Sequence, residues 1–203
     1  MPAIGITGGI STGKTTFCEC LRQMLPTAEF FNADQAVHSL LALSEVKQEI
    51  RAEFGGHVFS KDEDLNRAKL RAIVFGDAAK KRALEQILHP RVRRQWSAEA
   101  ERHRNSPDFF FADIPLLYET GGETLCDRVV VVACSYTTQL RFLMERTPLK
   151  PAVAEQMINA QMPLAEKIRR ADHVVWNNGP RAALVTQARF LVALWQEESW
   201  RKS

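Results

Sequence analysis

Short, almost uninterrupted apolar runs alternate along the chain with longer stretches whose apolar residues recur every three or four positions. The runs at 3–7, 28–32, 109–113, 128–134 and 173–176 predict strands, and their lack of strict in–out alternation suits a sheet covered on both faces. Helical periodicity occupies 14–24, 34–43, 46–54, 66–75, 78–88, 90–103, 137–145, 151–160, 163–170 and about 180–198. In the last of these, Leu184, Ala188, Leu191 and Trp195 follow one another at spacings of four, three and four and so line one side, after a turn at Asn178-Gly179-Pro180. Strand–helix alternation predicts an open, mainly parallel α/β sheet. Residues 33–106 hold several helices and no core strand, and read as a helical insertion between the second and third strands. No internal repeat or linker sets off a second independent domain.

One turn in this pattern carries chemistry. Gly8-Gly9-Ile10-Ser11-Thr12-Gly13-Lys14-Thr15 matches G-x-x-x-x-G-K-[ST] at every position, with an apolar strand entering and an amphipathic helix (Phe17, Leu21, Met24) leaving. Glycines let the backbone wrap closely around phosphate oxygens, and successive N–H groups and the positive end of the helix face the anion. Lys14 suits the β- and γ-phosphates of ATP, the Thr15 hydroxyl suits the Mg²⁺ shell, and Thr16 extends the nucleotide contacts. The fold expected is therefore a P-loop NTPase-type parallel sheet of about five strands flanked by helices, with a helical insertion and a lid.

Composition narrows the partners. A chain of 203 residues holds one substantial core with room for an inserted subdomain. Its 27 Lys and Arg against 24 Asp and Glu give a net charge of +3, too small for non-specific nucleic-acid binding, so no nucleic-acid partner is expected. Cys18, Cys20, Cys126 and Cys134 form no C-x-x-C pair and read as buried or half-buried thiols in a reducing compartment. The chain opens with no basic-then-apolar leader, and no apolar run nears the roughly 20 residues that span a bilayer. A cytoplasmic monomer without a membrane partner is the expectation.

The loop alone does not name a reaction. The guanine-reading Asn-Lys-x-Asp of GTPases is missing, as is the strand-borne Asp-Glu pair of motor ATPases. A small-molecule kinase remains, or a nucleotide-dependent binding protein that transfers nothing. A kinase needs a carboxylate at the acceptor hydroxyl. Asp34 stands just past the second strand, whose carboxyl end borders the loop in such sheets; N-capping of the following helix explains it as well. Asp113, closing the third strand, reads either as a carboxylate near Mg²⁺ or as an ordinary strand-end residue. Arg141 and Arg146 follow the fourth strand, and Pro148 and Pro151 beyond them suit a hinged lid over 146–170 that excludes water. Read by position alone, Arg146 is a solvated helix-end arginine. Arg141 is a surface charge or a secondary contact. His89-Pro90 reads as a turn between two helices, with Pro90 at the start of the second.

At this point the sequence resembles the dephospho-coenzyme A kinases over nearly its whole length. The resemblance rests on an ordered set: Ile6-Thr7-Gly8-Gly9-Ile10, Asn32-Ala33-Asp34 with His38, Phe54-Gly55, Leu88-His89-Pro90, Asp113-Ile114-Pro115-Leu116-Leu117-Tyr118-Glu119, Gln161, Ala171-Asp172 and Asn177-Asn178-Gly179. It implies transfer of the ATP γ-phosphate to the ribose 3′-hydroxyl of dephospho-coenzyme A, the last step of coenzyme A synthesis. It implies a nucleotide core (1–32, 107–145, 171–203), an acceptor-binding insertion (33–106) and a lid (146–170). Asp34, Lys14 and Arg146 are then catalytic, with Arg146, placed where the family's lid begins, neutralising charge on the transferring phosphoryl group. Gly8, Gly9, Ser11, Thr12, Gly13, Lys14, Thr15, Thr16 and Asn177 hold the nucleotide, although an Asn-Gly turn also accounts for Asn177. His89, Leu116 and Arg141 touch the acceptor, with Arg91 and Arg94 near its pyrophosphate. Two positions depart from the family pattern: Ser11-Thr12 stands where Gly-Ser is usual, and Asn32 replaces the first Asp of Asp-Ala-Asp, which leaves Asp34 as the segment's one carboxylate.

Overall fold

The apolar runs do become strands. In the computed structural model, which describes residues 3–60 and 63–200 and side chains through Glu197, β1 (Ala3–Gly8), β2 (Glu29–Asn32), β3 (Phe110–Asp113), β4 (Arg128–Ala133) and β5 (His173–Trp176) form one sheet in the order β2-β3-β1-β4-β5. β1 pairs in parallel with β3 on one side and β4 on the other, and β4 pairs in parallel with β5. The central β1 and β4 are buried along almost their entire length, which is why their sequences show no alternation. Residues 1–2 and 201–203, counted with the core in the sequence, lie outside the described residues.

Helix α1 (Lys14–Met24) and the closing α9 (Arg181–Trp200) pack together over one face of the sheet. Ile4 and Ile6 of β1, Val130 and Val132 of β4, Phe17 and Leu21 of α1 and the α9 stripe Leu184, Ala188, Leu191 and Trp195 share one core. Trp195 lies 5.8 Å from the ring of Phe111 and 6.3 Å from that of Phe109, at tilted angles favourable to aromatic pairs. Truncating a buried aromatic of this kind costs about 3–5 kcal/mol. Among the described residues no helix is long and apolar enough to cross a membrane.

The chain divides into two compact units, Met1–Phe31 with Glu99–Ser203, and Asn32–Ala98. The first carries the sheet together with α6 (Tyr136–Arg146), α7 (Pro151–Asn159) and α8 (Leu164–Arg170). Ser135 caps α6 by accepting the Thr138 N–H at 3.2 Å, and Pro151 opens α7 at a position where its missing N–H costs nothing. The second unit holds α2 (Ala33–Leu40), α3 (Ser44–Phe54), α4 (Arg67–Gly76) and most of α5 (Ala78–His103). Its apolar residues Leu40, Val46, Ile50, Phe54, Leu70, Leu88 and Val92 are buried.

One expectation is corrected in this unit. Pro90 does not start a new helix after a turn at His89; α5 runs without a break from Ala78 to His103 with Pro90 inside it. A proline removes the N–H that would bond the carbonyl four residues back, and its ring crowds that turn. The Arg91 guanidinium donates to the Ile87 carbonyl at 2.7 Å, one residue on from the Gln86 carbonyl that Pro90 leaves without its helical N–H. The two separately periodic segments nonetheless form one element.

Candidate active site

The phosphate loop forms where β1 hands the chain to α1. Gly8, the last residue of β1, lies so close to the Val132 carbonyl that any side chain would collide with it. Gly13 has φ of 93°, in the left-handed region, and the amide of Asn177 fills the space where a Cβ would project. Between them the loop closes on itself: the Thr12 hydroxyl donates to the Gly9 carbonyl at 3.0 Å. The loop is also held from outside. Gln139 of α6 donates through Nε2 to the Ile10 carbonyl at 2.8 Å, and the Ile10 N–H donates to Gln161 Oε1, also at 2.8 Å, so that the peptide groups on both sides of Ile10 are gripped. Asn177, after β5, donates through Nδ2 to the Thr12 carbonyl at 3.0 Å.

At the foot of α1 the Lys14 ammonium forms an ion pair with the buried carboxylate of Asp113, at the end of β3. Burial first, and the Asp113 charge second, push the neighbouring Cys18 thiol up to about 12. All four cysteines are free thiols. The Thr15 hydroxyl, one residue beyond Lys14, is exposed. The Thr15 hydroxyl and the Asp113 carboxylate are each hard oxygen groups of the type that Mg²⁺ takes. Among the described residues no three or more His, Cys, Asp or Glu side chains gather as a self-sufficient metal cage. Beside Gly9 a cavity of about 540 Å³ opens among Gln139, Gln161, Met162, Tyr136 and Trp176.

A buried lysine missed in the sequence joins this group. Lys167 of α8 is fully buried and donates to the Gly8 carbonyl (3.2 Å) and the Pro115 carbonyl (2.9 Å), while pairing with Glu119 at 2.9 Å. Burial lowers its pKa, and Glu119 partly offsets the shift. Gln139 was missed as well. Their partners lie about fifty to 160 residues away and are mostly backbone carbonyls, so no local spacing announces them.

The loop residues Gly8, Gly9, Ser11, Thr12, Gly13 and Lys14 thus come together with Asp113 and Asn177. Thr15 and Thr16 follow in the first turn of α1, and Leu116 stands half-buried three residues past Asp113. Arg141 is exposed and pairs with Glu145 of its own helix at 3.4 Å. Arg146 is exposed as the last residue of α6. Asp34 and His89 belong to the other unit. Asp34 is exposed in the first turn of α2, and the cap of that helix is Asn32, whose Oδ1 accepts the Gln35 N–H at 2.9 Å. Capping therefore does not explain Asp34. His89, inside α5, is half-buried, and burial holds its pKa below the usual value.

A five-stranded α/β sheet with a G-x-x-x-x-G-K-[ST] loop between its central strand and first helix, and that loop's lysine held by a carboxylate on the adjacent strand, defines a phosphate-loop kinase fold. Residues 2–182 match the model of the family described as Dephospho-CoA kinase. A dephospho-CoA kinase of Geobacillus kaustophilus is 38% identical over 95% of this chain and 96% of its own length. One of Symbiobacterium thermophilum is 42% identical over 88% of this chain and 75% of its own. Among solved structures, TT1252 from Thermus thermophilus superposes with a TM-score of 0.78 at 30% identity, covering 95% of this chain and 96% of that one. The chain belongs to the dephospho-CoA kinase family.

Proposed function

We propose that this protein transfers the γ-phosphoryl group of ATP to the ribose 3′-hydroxyl of dephospho-coenzyme A, giving coenzyme A and ADP. The observation that carries the reading is the loop itself, preshaped by Gly8 and Gly13 and with its lysine held beside a buried carboxylate, in a chain of this family. In the absence of nucleotide the Asp113 charge keeps Lys14 at the loop; an arriving phosphate competes for the same ammonium, so the lysine needs little movement to engage it. Thr15 and Asp113 would hold Mg²⁺, which supplies positive charge to the phosphate oxygens when bound.

Asp34 is the base that receives or orients the proton of the acceptor hydroxyl. Its exposure and its freedom from a capping role support this reading. Arg146, where α6 gives way to the Pro148–Pro151 stretch, brings positive charge to the transferring group from a lid formed by 146–170. The acceptor occupies the 33–106 region, with His89 and Leu116 among its contacts, and the protein works as a cytoplasmic monomer.

The test is ADP release with dephospho-coenzyme A compared with AMP, dTMP and no acceptor, for wild type and Asp34→Asn. Turnover should require dephospho-coenzyme A and fall at least about a hundredfold in the variant, the range of a lost general base. Equal turnover without an acceptor rejects the kinase reading, and preference for AMP or dTMP reassigns the acceptor.

A further inference from the structure

Lys167 is an expensive residue to keep. Its ammonium is wholly removed from water, and burying a cation costs several kcal/mol unless every proton finds an acceptor. It does find them: three N–H groups meet the Gly8 carbonyl, the Pro115 carbonyl and the Glu119 carboxylate. A well-packed apolar side chain in the same place would avoid the desolvation cost and is often as stable or more so. Stability alone is thus a poor reason for an ammonium here, and the identity of its acceptors suggests another.

Gly8 is the residue at which β1 becomes the phosphate loop, and Pro115 lies two residues past Asp113, the partner of Lys14. One ammonium therefore ties the outgoing ends of two neighbouring strands directly behind the loop. The Thr7 hydroxyl reinforces the junction by donating to the same Pro115 carbonyl at 3.0 Å. The tie comes from the segment that carries α7 and α8. Glu119, besides pairing with Lys167, accepts the Met162 N–H at 3.1 Å, and adjacent Gln161 accepts the Ile10 N–H. Residues 161–167 thereby grip the loop at its first and third positions at once. The ammonium is also close enough to Lys14 for the two charges to influence one another.

We propose that Lys167 is a positioning residue for nucleotide binding: by fixing the Gly8 carbonyl and placing an ammonium behind the loop, it sets the geometry in which the loop's N–H groups and Lys14 meet phosphate. Lys167 touches the loop and not the reacting atoms. The same contacts make docking of α8 and shaping of the loop a single event. This inference rests on the loop's being the nucleotide site and adds a residue outside the motif that controls it.

Three proteins test it: wild type, Lys167→Met, and Lys167→Met combined with Glu119→Gln. ADP with Mg²⁺ is titrated by calorimetry at a temperature where circular dichroism shows each protein folded, and Tm and the KM values for ATP and dephospho-coenzyme A are measured alongside. Lys167→Met should lower Tm, because Glu119 loses its partner, and should weaken ADP binding about tenfold, the scale of one charge-assisted hydrogen bond. KM for ATP should rise with it, and KM for dephospho-coenzyme A should stay within about twofold. The double variant should recover Tm while ADP binding stays weak, a separation that a merely structural lysine would not produce. It also carries the test if the single variant does not fold. ADP affinity within about twofold of wild type in either variant overturns the proposal. Wild-type protein that fails to bind ADP overturns the loop reading along with it, and this result needs no variant to be seen.

Discussion

Ser11 combines two unfavourable features at one position. Its φ of 56° puts a side-chain-bearing residue in the left-handed region, at about 1–2 kcal/mol. Its hydroxyl oxygen is buried with no hydrogen-bond partner among the described residues, worth about another 1–3 kcal/mol. Neighbouring Ile10, with its carbonyl held by Gln139 and its N–H by Gln161, leaves the backbone little room to relax away from that conformation. Replacing Ser11 with glycine removes both costs and adds roughly 0.5–1 kcal/mol of chain entropy to be lost on folding. The balance favours the variant. Ser11→Gly should be more stable by at least about 1 kcal/mol, or at least about 2–4 °C in Tm for a chain of this size, read by thermal melting without ligand. An unchanged or lower Tm would mean that the strain is relieved by a partner the hydroxyl finds in solution.

At the scale of elements, α5 sets a pH dependence. Burial, opposed by Glu85 and assisted by Lys81, keeps the His89 pKa below its ordinary 6.5. In the window between the lowered folded value and 6.5, the unfolded chain takes up a proton that the folded helix refuses. Stability from this residue is therefore complete above 6.5 and is lost as the pH falls through the window. On going from pH 7 to about 5.5 the wild-type Tm should drop further than that of His89→Gln, and parallel drops would remove His89 as the cause. The same helix shows where sequence reading stops. Strands of apolar residues and the α9 stripe were legible because burial on a sheet writes itself into local periodicity, and α1 was legible to the residue because Gly13 and Lys14 mark its start. The continuity of α5 was not, because a proline reads locally as a break although the helix runs through it. In the site, the loop stood out as a contiguous motif. Lys167 and Gln139 did not, since they recognise carbonyls brought near only by the sheet.

At the scale of the whole molecule, the division into two units suggests a division of substrates that can be tested without mutation. The nucleotide loop, Asp113, Lys167 and Asn177 all lie in the unit that carries the sheet, whereas Asp34 and His89 lie in Asn32–Ala98. A ligand bound only by the folded protein stabilises it by mass action, about 2.7 kcal/mol at a hundred times its Kd. Amides that open by local fluctuation feel this only where the ligand restrains that opening. With ADP and Mg²⁺, slowed hydrogen exchange should concentrate at residues 8–16, 161–167 and around Asn177, with little change across 32–98. Dephospho-coenzyme A added alone should instead slow exchange within 32–98, including the first turn of α2 around Asp34. Protection by dephospho-coenzyme A confined to the sheet unit would move the acceptor away from the helical region, and the role of Asp34 as the base would go with it.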